Sequence, residues 1–422
     1  MRNQHISRFI TSTAFLIITL AITPAAWGAE KLLHVFQSNN DGMTPEAGLV
    51  SDAAGNLYGT AVFHGPANHG IVFKLTRGLH APWQETILYS FTGGADGDFP
   101  TYLAIDAAGN LFGVTEFGGR PAQGTKPCLQ GMCGVVFELS PSSGGWKFNV
   151  LYSLTGFKHD GTGPSGVTLD AAGNLYITTI KSQGICATSC GALFKLTHTS
   201  TGWKRSSVHS FGAGDGENPR GGVIIDAAGN LYGTTQSGGT YGFGTAYEMS
   251  PVSGGGWAEN ILHSFSGGSD GSSPQSSLRF DSAGNLFGTT GGGSGQGMVF
   301  ELVHGSGQWT NNALYSFTGG SDGRGPIGLV FDSSGNLYGT TIAGGDAVAC
   351  YQGCGVVYKL SPGSGTWNQT VLYTFTGVDG QEPRDNGLVL DPAGNLFGTT
   401  SYGGKTTSGC QNGCGVVFEV TP

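Results

Sequence analysis

The chain has 422 residues, of which 77 are Gly and 17 are Pro, only 11% are charged, and the formal net charge is −9. Inside a helix Gly costs about 1 kcal/mol and Pro about 3 kcal/mol relative to Ala, so helical bundles, coiled coils and helical solenoids are excluded. The glycines show no three-residue period, which excludes collagen, while 38% hydrophobic and 11% aromatic residues can bury a core, which excludes wholesale disorder.

At the N-terminus Arg2 and Arg8 flank the start of an apolar run from Phe9 to Ile22, followed by the small-residue stretch Thr23, Pro24, Ala25, Ala26, Trp27, Gly28, Ala29. This pattern predicts a secretory signal peptide over residues 1–28 and an exported domain over residues 29–422. The run is shorter than the roughly 20 residues of a spanning helix. No later segment approaches that length, so no membrane span is expected after cleavage. Losing Arg2 and Arg8 leaves the mature chain more acidic still, which argues against nucleic acid and anionic membrane surfaces as partners. The expected location is secreted or periplasmic.

Along the rest of the chain Gly-Asn-Leu-(Tyr/Phe) occurs seven times, with its Asn at Asn56, Asn110, Asn174, Asn230, Asn285, Asn336 and Asn395, a mean period of about 56 residues. Upstream of each copy lies Asp-Gly-x-x-Pro, starting at Asp41, Asp96, Asp160, Asp215, Asp270, Asp322 and Asp379. Downstream comes a Gly-led run whose fourth residue is aromatic, from Phe73 to Phe418, and then a run of the Val-Leu-Tyr-Ser-Phe type. Each unit therefore offers four short β-rich runs separated by turn chemistry, which predicts an antiparallel propeller blade with strands A to D from the axis outward. The chain begins with an orphan D run (Leu32 to Phe36) and ends with an orphan C run (Val416 to Val420). Pairing the two closes the ring and leaves few edges. The expected fold is all-β: one seven-bladed propeller, four antiparallel strands per blade.

The tandem Asp-Gly-x-x-Pro, Asp-x-x-Gly-Asn-Leu-(Tyr/Phe)-Gly-Thr-Thr and Gly-Val-Val-Phe-Glu-Leu blocks resemble the GloVer tandem-repeat family of exported bacterial proteins across essentially the whole mature chain. Their order is also similar to that of NHL-type propeller repeats. The resemblance implies a propeller and brings no catalytic residue set with it.

Most repeated residues read as structural. Asp52 and its six counterparts precede the A-to-B turn, where a carboxylate caps backbone N–H groups. The Asp of Asp-Gly-x-x-Pro reads as a turn residue too, with a calcium ring as the one cofactor reading it leaves open. No Asp-x-Asp-x-Asp-Gly loop supports calcium, so neither a metal nor any other cofactor is expected. Trp83, Trp146, Trp203, Trp257, Trp309 and Trp367 recur at the C-to-D hairpin and read as packing.

The eight cysteines form four local pairs, Cys128 with Cys133, Cys186 with Cys190, Cys350 with Cys354 and Cys410 with Cys414. In an exported chain this spacing predicts disulfides. They fall in the four longest B-to-C loops, which share one propeller face with the D-to-A crossovers. Function on a repeat scaffold resides where the repeats differ, so that face is the expected working surface. Its distinctive residues, taken as binding candidates, are Tyr102, Glu116, Lys181, Arg220, Tyr241, Arg384, Asp385 and Tyr402. Arg279 is the odd residue of the inner strands, where other repeats carry Val, Ala, Thr or Ile.

Two functions fit. One is an exported, monomeric, non-catalytic binding or structural module whose partner is a glycan or an envelope or extracellular protein. The other is a lyase or hydrolase of a polysaccharide or small molecule at the channel mouth, with carboxylates such as Glu116, Glu217 or Asp385 assembled from separate blades. His-Glu-x-x-His, a Gly-x-Ser-x-Gly nucleophile elbow and a P-loop are all missing from the sequence.

Overall fold

The computed structural model describes residues 29–37, 40–78, 82–119, 133–156, 160–181, 190–293, 295–305, 307–345, 350–384 and 387–422. The expected signal peptide lies outside them. Among the described residues 29 strands form seven antiparallel sheets, each following the chain from an inner strand outward. The seventh sheet draws on both ends of the chain. Strand β1 (Ala29–Val35) pairs with β29 (Val416–Thr421), which continues to β28 (Leu396–Thr400) and β27 (Val389–Leu390). Glu30 stands opposite Val420 and Leu32 opposite Phe418, so the orphan D run does complete the blade of the orphan C run.

The inner strands differ between blades, and the cause is visible in the spacing. The Pro of Asp-Gly-x-x-Pro and the Asp of the next turn stand six residues apart in blades 2, 3 and 6, and seven or eight apart in blades 1, 4, 5 and 7. The six-residue blades have unbroken eight-residue inner strands, β6 (Asp98–Ile105), β10 (Thr162–Leu169) and β23 (Arg324–Phe331). In the others one or two extra residues stand between Pro and Asp, and the inner strand is interrupted. There it retains only short pieces, β2 (Val50–Ser51), β14 (Ile224–Ile225) and β27, and in blade 5 both β18 (Ser272–Pro274) and β19 (Arg279–Phe280).

Two contacts repeat at the blade boundaries. The Gly that opens strand C has positive φ, and a Cβ placed on it would strike the Pro of the next blade: 2.4 Å from Pro100 Cδ at Gly70, 2.4 Å from Pro326 Cδ at Gly297 and 2.6 Å from Pro45 Cδ at Gly415, where the ring closes. The repeated Trp packs edge-on against the strand-B aromatic of the preceding blade. Trp146 meets Tyr58 at 6.0 Å, Trp309 meets Tyr232 at 6.4 Å, and Trp83 meets Phe397 across the seam at 6.0 Å. Within blades the strand-C aromatics Phe73, Phe137, Phe194, Tyr247, Phe300, Tyr358 and Phe418 are fully buried.

The repeated Asp residues close turns. Asp52 Oδ1 accepts from the N–H groups of Ala54 and Asn56 at 2.9 Å, and its Oδ2 accepts from Asn56 Nδ2 at 2.7 Å. The first of these bonds recurs at Asp106, Asp170, Asp226, Asp281, Asp332 and Asp391.

Candidate functional site

One position in the repeat is free to vary and faces the axis: the residue directly after the Pro of Asp-Gly-x-x-Pro. In blade order it is Glu46, Thr101, Ser165, Arg220, Gln275, Ile327 and Arg384. All seven line a single cavity of 170 Å³, together with Tyr102, Glu116, Gly163, Pro164, Ile180 and Ile342. A shared backbone device precedes each of them. The residue before the Pro is left-handed in every blade, with φ of 58° at Thr44, 59° at Phe99, 62° at Gly163, 63° at Asn218, 55° at Ser273, 63° at Gly325 and 53° at Glu382. Five of these residues carry a side chain, so the conformation is held against a cost of about 1 kcal/mol or more each. The kink, followed by the fixed φ of Pro, turns the chain from the crossover into the inner strand and delivers the next side chain to the mouth of the channel.

A second tier comes from the residue after the strand-B Thr pair or its equivalent, which supplies Glu116, Ile180 and Ile342 to the same cavity. In blade 4 the equivalent Gln236 accepts from Arg220 Nε at 2.7 Å and holds that guanidinium. Arg384 is held by Glu382, whose Oε2 accepts from Nη2 at 2.8 Å and from Nε at 3.1 Å. Tyr102 reaches from blade 2 to blade 4, its hydroxyl donating to the Arg220 carbonyl at 3.0 Å. Tyr102 also lines the 500 Å³ shaft beneath, so it stands between mouth and shaft. Arg279 lies in the shaft, donating from Nε to the Leu329 carbonyl at 2.8 Å and from Nη1 to the Leu278 carbonyl at 3.2 Å. It ties the broken inner strand of blade 5 to the inner strand of blade 6.

Charge at the mouth is arranged as an arc. Burial pushes the Glu46 carboxyl above its ordinary range; Arg384 opposes this, while Glu116 and Glu382 reinforce it. Burial likewise raises Glu116, against the pull of Arg220 and Lys181. For Arg384, burial disfavours the cation, but Glu382 and Glu46 outweigh it and hold the guanidinium charged. Two carboxyls that hold protons more tightly than usual thus sit among cations from blades 3, 4 and 7. Ile180, Ile327 and Ile342 provide an apolar wall.

Of the residues expected at the site, Tyr102, Glu116, Arg220 and Arg384 come together at the mouth. Lys181 ends β11 (Leu175–Lys181) and acts on it through charge. Tyr402 is bridged through its backbone to Gln381 and does not line the cavity. Tyr241 is 60% exposed on the B-to-C loop of blade 4 and does not line the cavity. Asp385 lies outside the described residues. Sequence reading missed Glu46, Thr101, Ser165 and Gln275; tabulating the one variable position after seven invariant prolines finds all of them.

The disulfides Cys350–Cys354 and Cys410–Cys414 are formed, each with a Cα separation of 5.2 Å. Cys133 and Cys190 are disulfide-bonded as well, and their expected partners Cys128 and Cys186 lie outside the described residues. Such bonds belong to an oxidising compartment. The Asp residues of Asp-Gly-x-x-Pro serve as turn acceptors. Asp322 Oδ2, for example, takes the Thr318 N–H at 2.8 Å and the Tyr315 hydroxyl at 3.1 Å, and Oδ1 takes the Thr318 hydroxyl at 2.6 Å.

Residues 127–347 and 253–422 match the profile of the Gloeobacter/Verrucomicrobia repeat. No functionally curated protein matches the chain. Among solved structures it is similar to a proposed 6-phosphogluconolactonase from Bacteroides uniformis, with 12% identity over 85% of this chain and 89% of that one and a TM-score of 0.51. It is also similar to the extracellular domain of a proposed one-component system from B. thetaiotaomicron, with 11% identity over 92% of this chain and 40% of that one and a TM-score of 0.51. At such identities the likeness is one of fold.

Proposed function

The chain belongs to the Gloeobacter/Verrucomicrobia repeat family, and from that premise we propose that it is an exported, monomeric binding protein that takes the end of a glycan into the axial mouth. One observation carries this reading. Side chains from non-equivalent repeats, Glu46, Thr101, Ser165, Arg220, Gln275 and Arg384, converge on one cavity on the face that carries the disulfide loops. The chemistry suits a sugar. Carboxyl, hydroxyl and amide groups bond ring hydroxyls, the isoleucines take a C–H face, and Arg220 and Arg384 favour a sugar that bears a carboxylate. A volume of 170 Å³ is below the roughly 300–1,000 Å³ of ordinary ligand pockets, so it suits one terminal unit entering end-on. Calorimetry with acidic and neutral oligosaccharides tests this. Arg220→Ala and Glu116→Ala should each weaken binding about tenfold or more, and Tyr241→Ala should leave it unchanged. Equal loss from all three variants would overturn the placement.

A second reading rests on the Glu46 and Glu116 carboxyls, both raised by burial, with Glu116 adding to the rise at Glu46. Two carboxyls of this kind support general acid–base chemistry on a bound glycan or small molecule. Turnover abolished by Glu46→Gln or Glu116→Gln, with binding retained, would favour catalysis over binding.

A further inference from the structure

At each blade boundary a residue from strand D of one blade, the Asp of the next Asp-Gly-x-x-Pro and a residue from the following strand D meet at the outer rim. What they do depends on the third residue. At the boundary of blades 4 and 5 it is Asn311, whose Nδ2 lies 3.2 Å from His263 Nε2, while that ring nitrogen also lies 3.1 Å from Asp270 Oδ2. At blades 5 and 6 it is Gln369, which donates to the Asp322 carbonyl at 3.3 Å. Amides close these boundaries with hydrogen bonds.

Where blade 7 meets blade 1 the set is His34, Asp41 and Glu85. His34 Nε2 lies 3.7 Å from Asp41 Oδ2 and 3.8 Å from Glu85 Oε2, too long for hydrogen bonds. The side chains retain only 18%, 19% and 12% of their exposure. His34 Nε2 and Glu85 Oε1 are buried without a hydrogen-bond partner among the described residues. Leaving such polar atoms without a partner is unfavourable, and both can ligate a metal. Donors bound at about 2.1 Å to one zinc ion stand about 3.4–3.6 Å apart, close to the spacing found. The same residue types recur between blades 3 and 4, where His209 Nε2 lies 2.9 Å from Asp215 Oδ2 and 3.6 Å from Glu259 Oε1, with Glu259 Oε1 again buried and unpaired. In each set the three donor atoms lie within 4.8 Å of one another.

We propose that His34, Asp41 and Glu85 form a binding site for a zinc-class divalent cation, and that the ion ties β1, the N-terminal strand that completes blade 7, to blade 1. One imidazole with two carboxylates selects a borderline transition ion over calcium, which prefers an all-oxygen shell. His34 belongs to β1 and thus to blade 7, whereas Asp41 and Glu85 belong to blade 1. The ion bridges the first and last blades, beside the β1–β29 pairing through which the ring closes. His209, Asp215 and Glu259 form a second, tighter-closed copy in which the ion must displace a direct His–Asp hydrogen bond, so it fills after the seam site.

The test uses the full mature chain, purified without a polyhistidine tag, stripped with chelator, dialysed against zinc chloride and assayed for bound metal. Wild type retains zinc and its melting temperature rises with zinc. Glu85→Gln, which keeps size and hydrogen-bonding capacity, loses one equivalent and most of that rise while its metal-free form melts no lower than wild type. His263→Ala retains the wild-type stoichiometry. Cobalt substitution reports the geometry, with an absorption spectrum that Glu85→Gln abolishes at the seam. No retained zinc in wild type, or a stoichiometry that Glu85→Gln leaves unchanged, overturns the proposal.

Discussion

Replacing Gly297 by Ala probes the contact that sets the mouth. Gly297 has φ of +97°, and its new Cβ would lie 2.4 Å from Pro326 Cδ and 2.6 Å from the Thr290 carbonyl oxygen. Gly284, in an A-to-B turn, has a similar φ of +86° but nothing within 4 Å of an added Cβ. The pair separates conformational from steric cost. Gly284→Ala should cost about 1 kcal/mol for left-handed backbone alone. Gly297→Ala adds about 1–3 kcal/mol of overpacking against the next blade, for a total of about 2–4 kcal/mol. Urea unfolding followed by tryptophan fluorescence reads both. Because Pro326 precedes Ile327, a wall of the mouth, only Gly297→Ala should also weaken ligand binding. Equal destabilisation by the two substitutions would refute the claim that Gly–Pro contacts lock the blades and orient the ring.

Ser273, held at φ of 55° before Pro274, should gain up to about 1 kcal/mol on replacement by Gly, seen as a higher urea midpoint. Burial raises the Glu30 carboxyl from 4.5 to about 7, with Asp379 adding to the rise and Tyr373 opposing it. The folded chain therefore holds this proton more tightly than the unfolded one, and the resulting stability, full below pH ~4.5, is lost as pH rises to about 7. Glu30→Gln should accordingly raise the melting point at pH 8 and not at pH 4. The gain should be about 1 kcal/mol once the half-exposed position is discounted for solvent screening. Reducing Cys350–Cys354 or Cys410–Cys414 should cost about 2 kcal/mol each and leave the far-ultraviolet circular dichroism of the ring intact, since such short loops release little chain entropy.

Blade number, strand order and ring closure were legible because seven copies of Gly-Asn-Leu-(Tyr/Phe) and the orphan end strands are local signals that the chain repeats. The break in four inner strands was not anticipated: the longer Pro-to-Asp distance that accompanies it gained meaning only beside the observed strands. The site was read only in part. Arg220 and Arg384 stood out as cations where the other repeats carry none, whereas Glu46 and Gln275 became visible only once the residues after seven prolines were seen to share one cavity. Tyr241 illustrates the opposite error: a distinctive aromatic on the right face that points to solvent. Rim sets such as His34, Asp41 and Glu85 join residues from different repeats, and no spacing rule within one repeat finds them.

Ligand-observed NMR against a panel of envelope glycans, run side by side on wild type and the Arg220→Ala/Arg384→Ala double variant, tests the mouth most directly. Saturation should transfer to the terminal sugar of one acidic glycan class in wild type and vanish in the variant, whose fold and melting point are retained. Transfer that survives in the folded variant, or transfer to no glycan in wild type, would contradict a glycan-binding mouth.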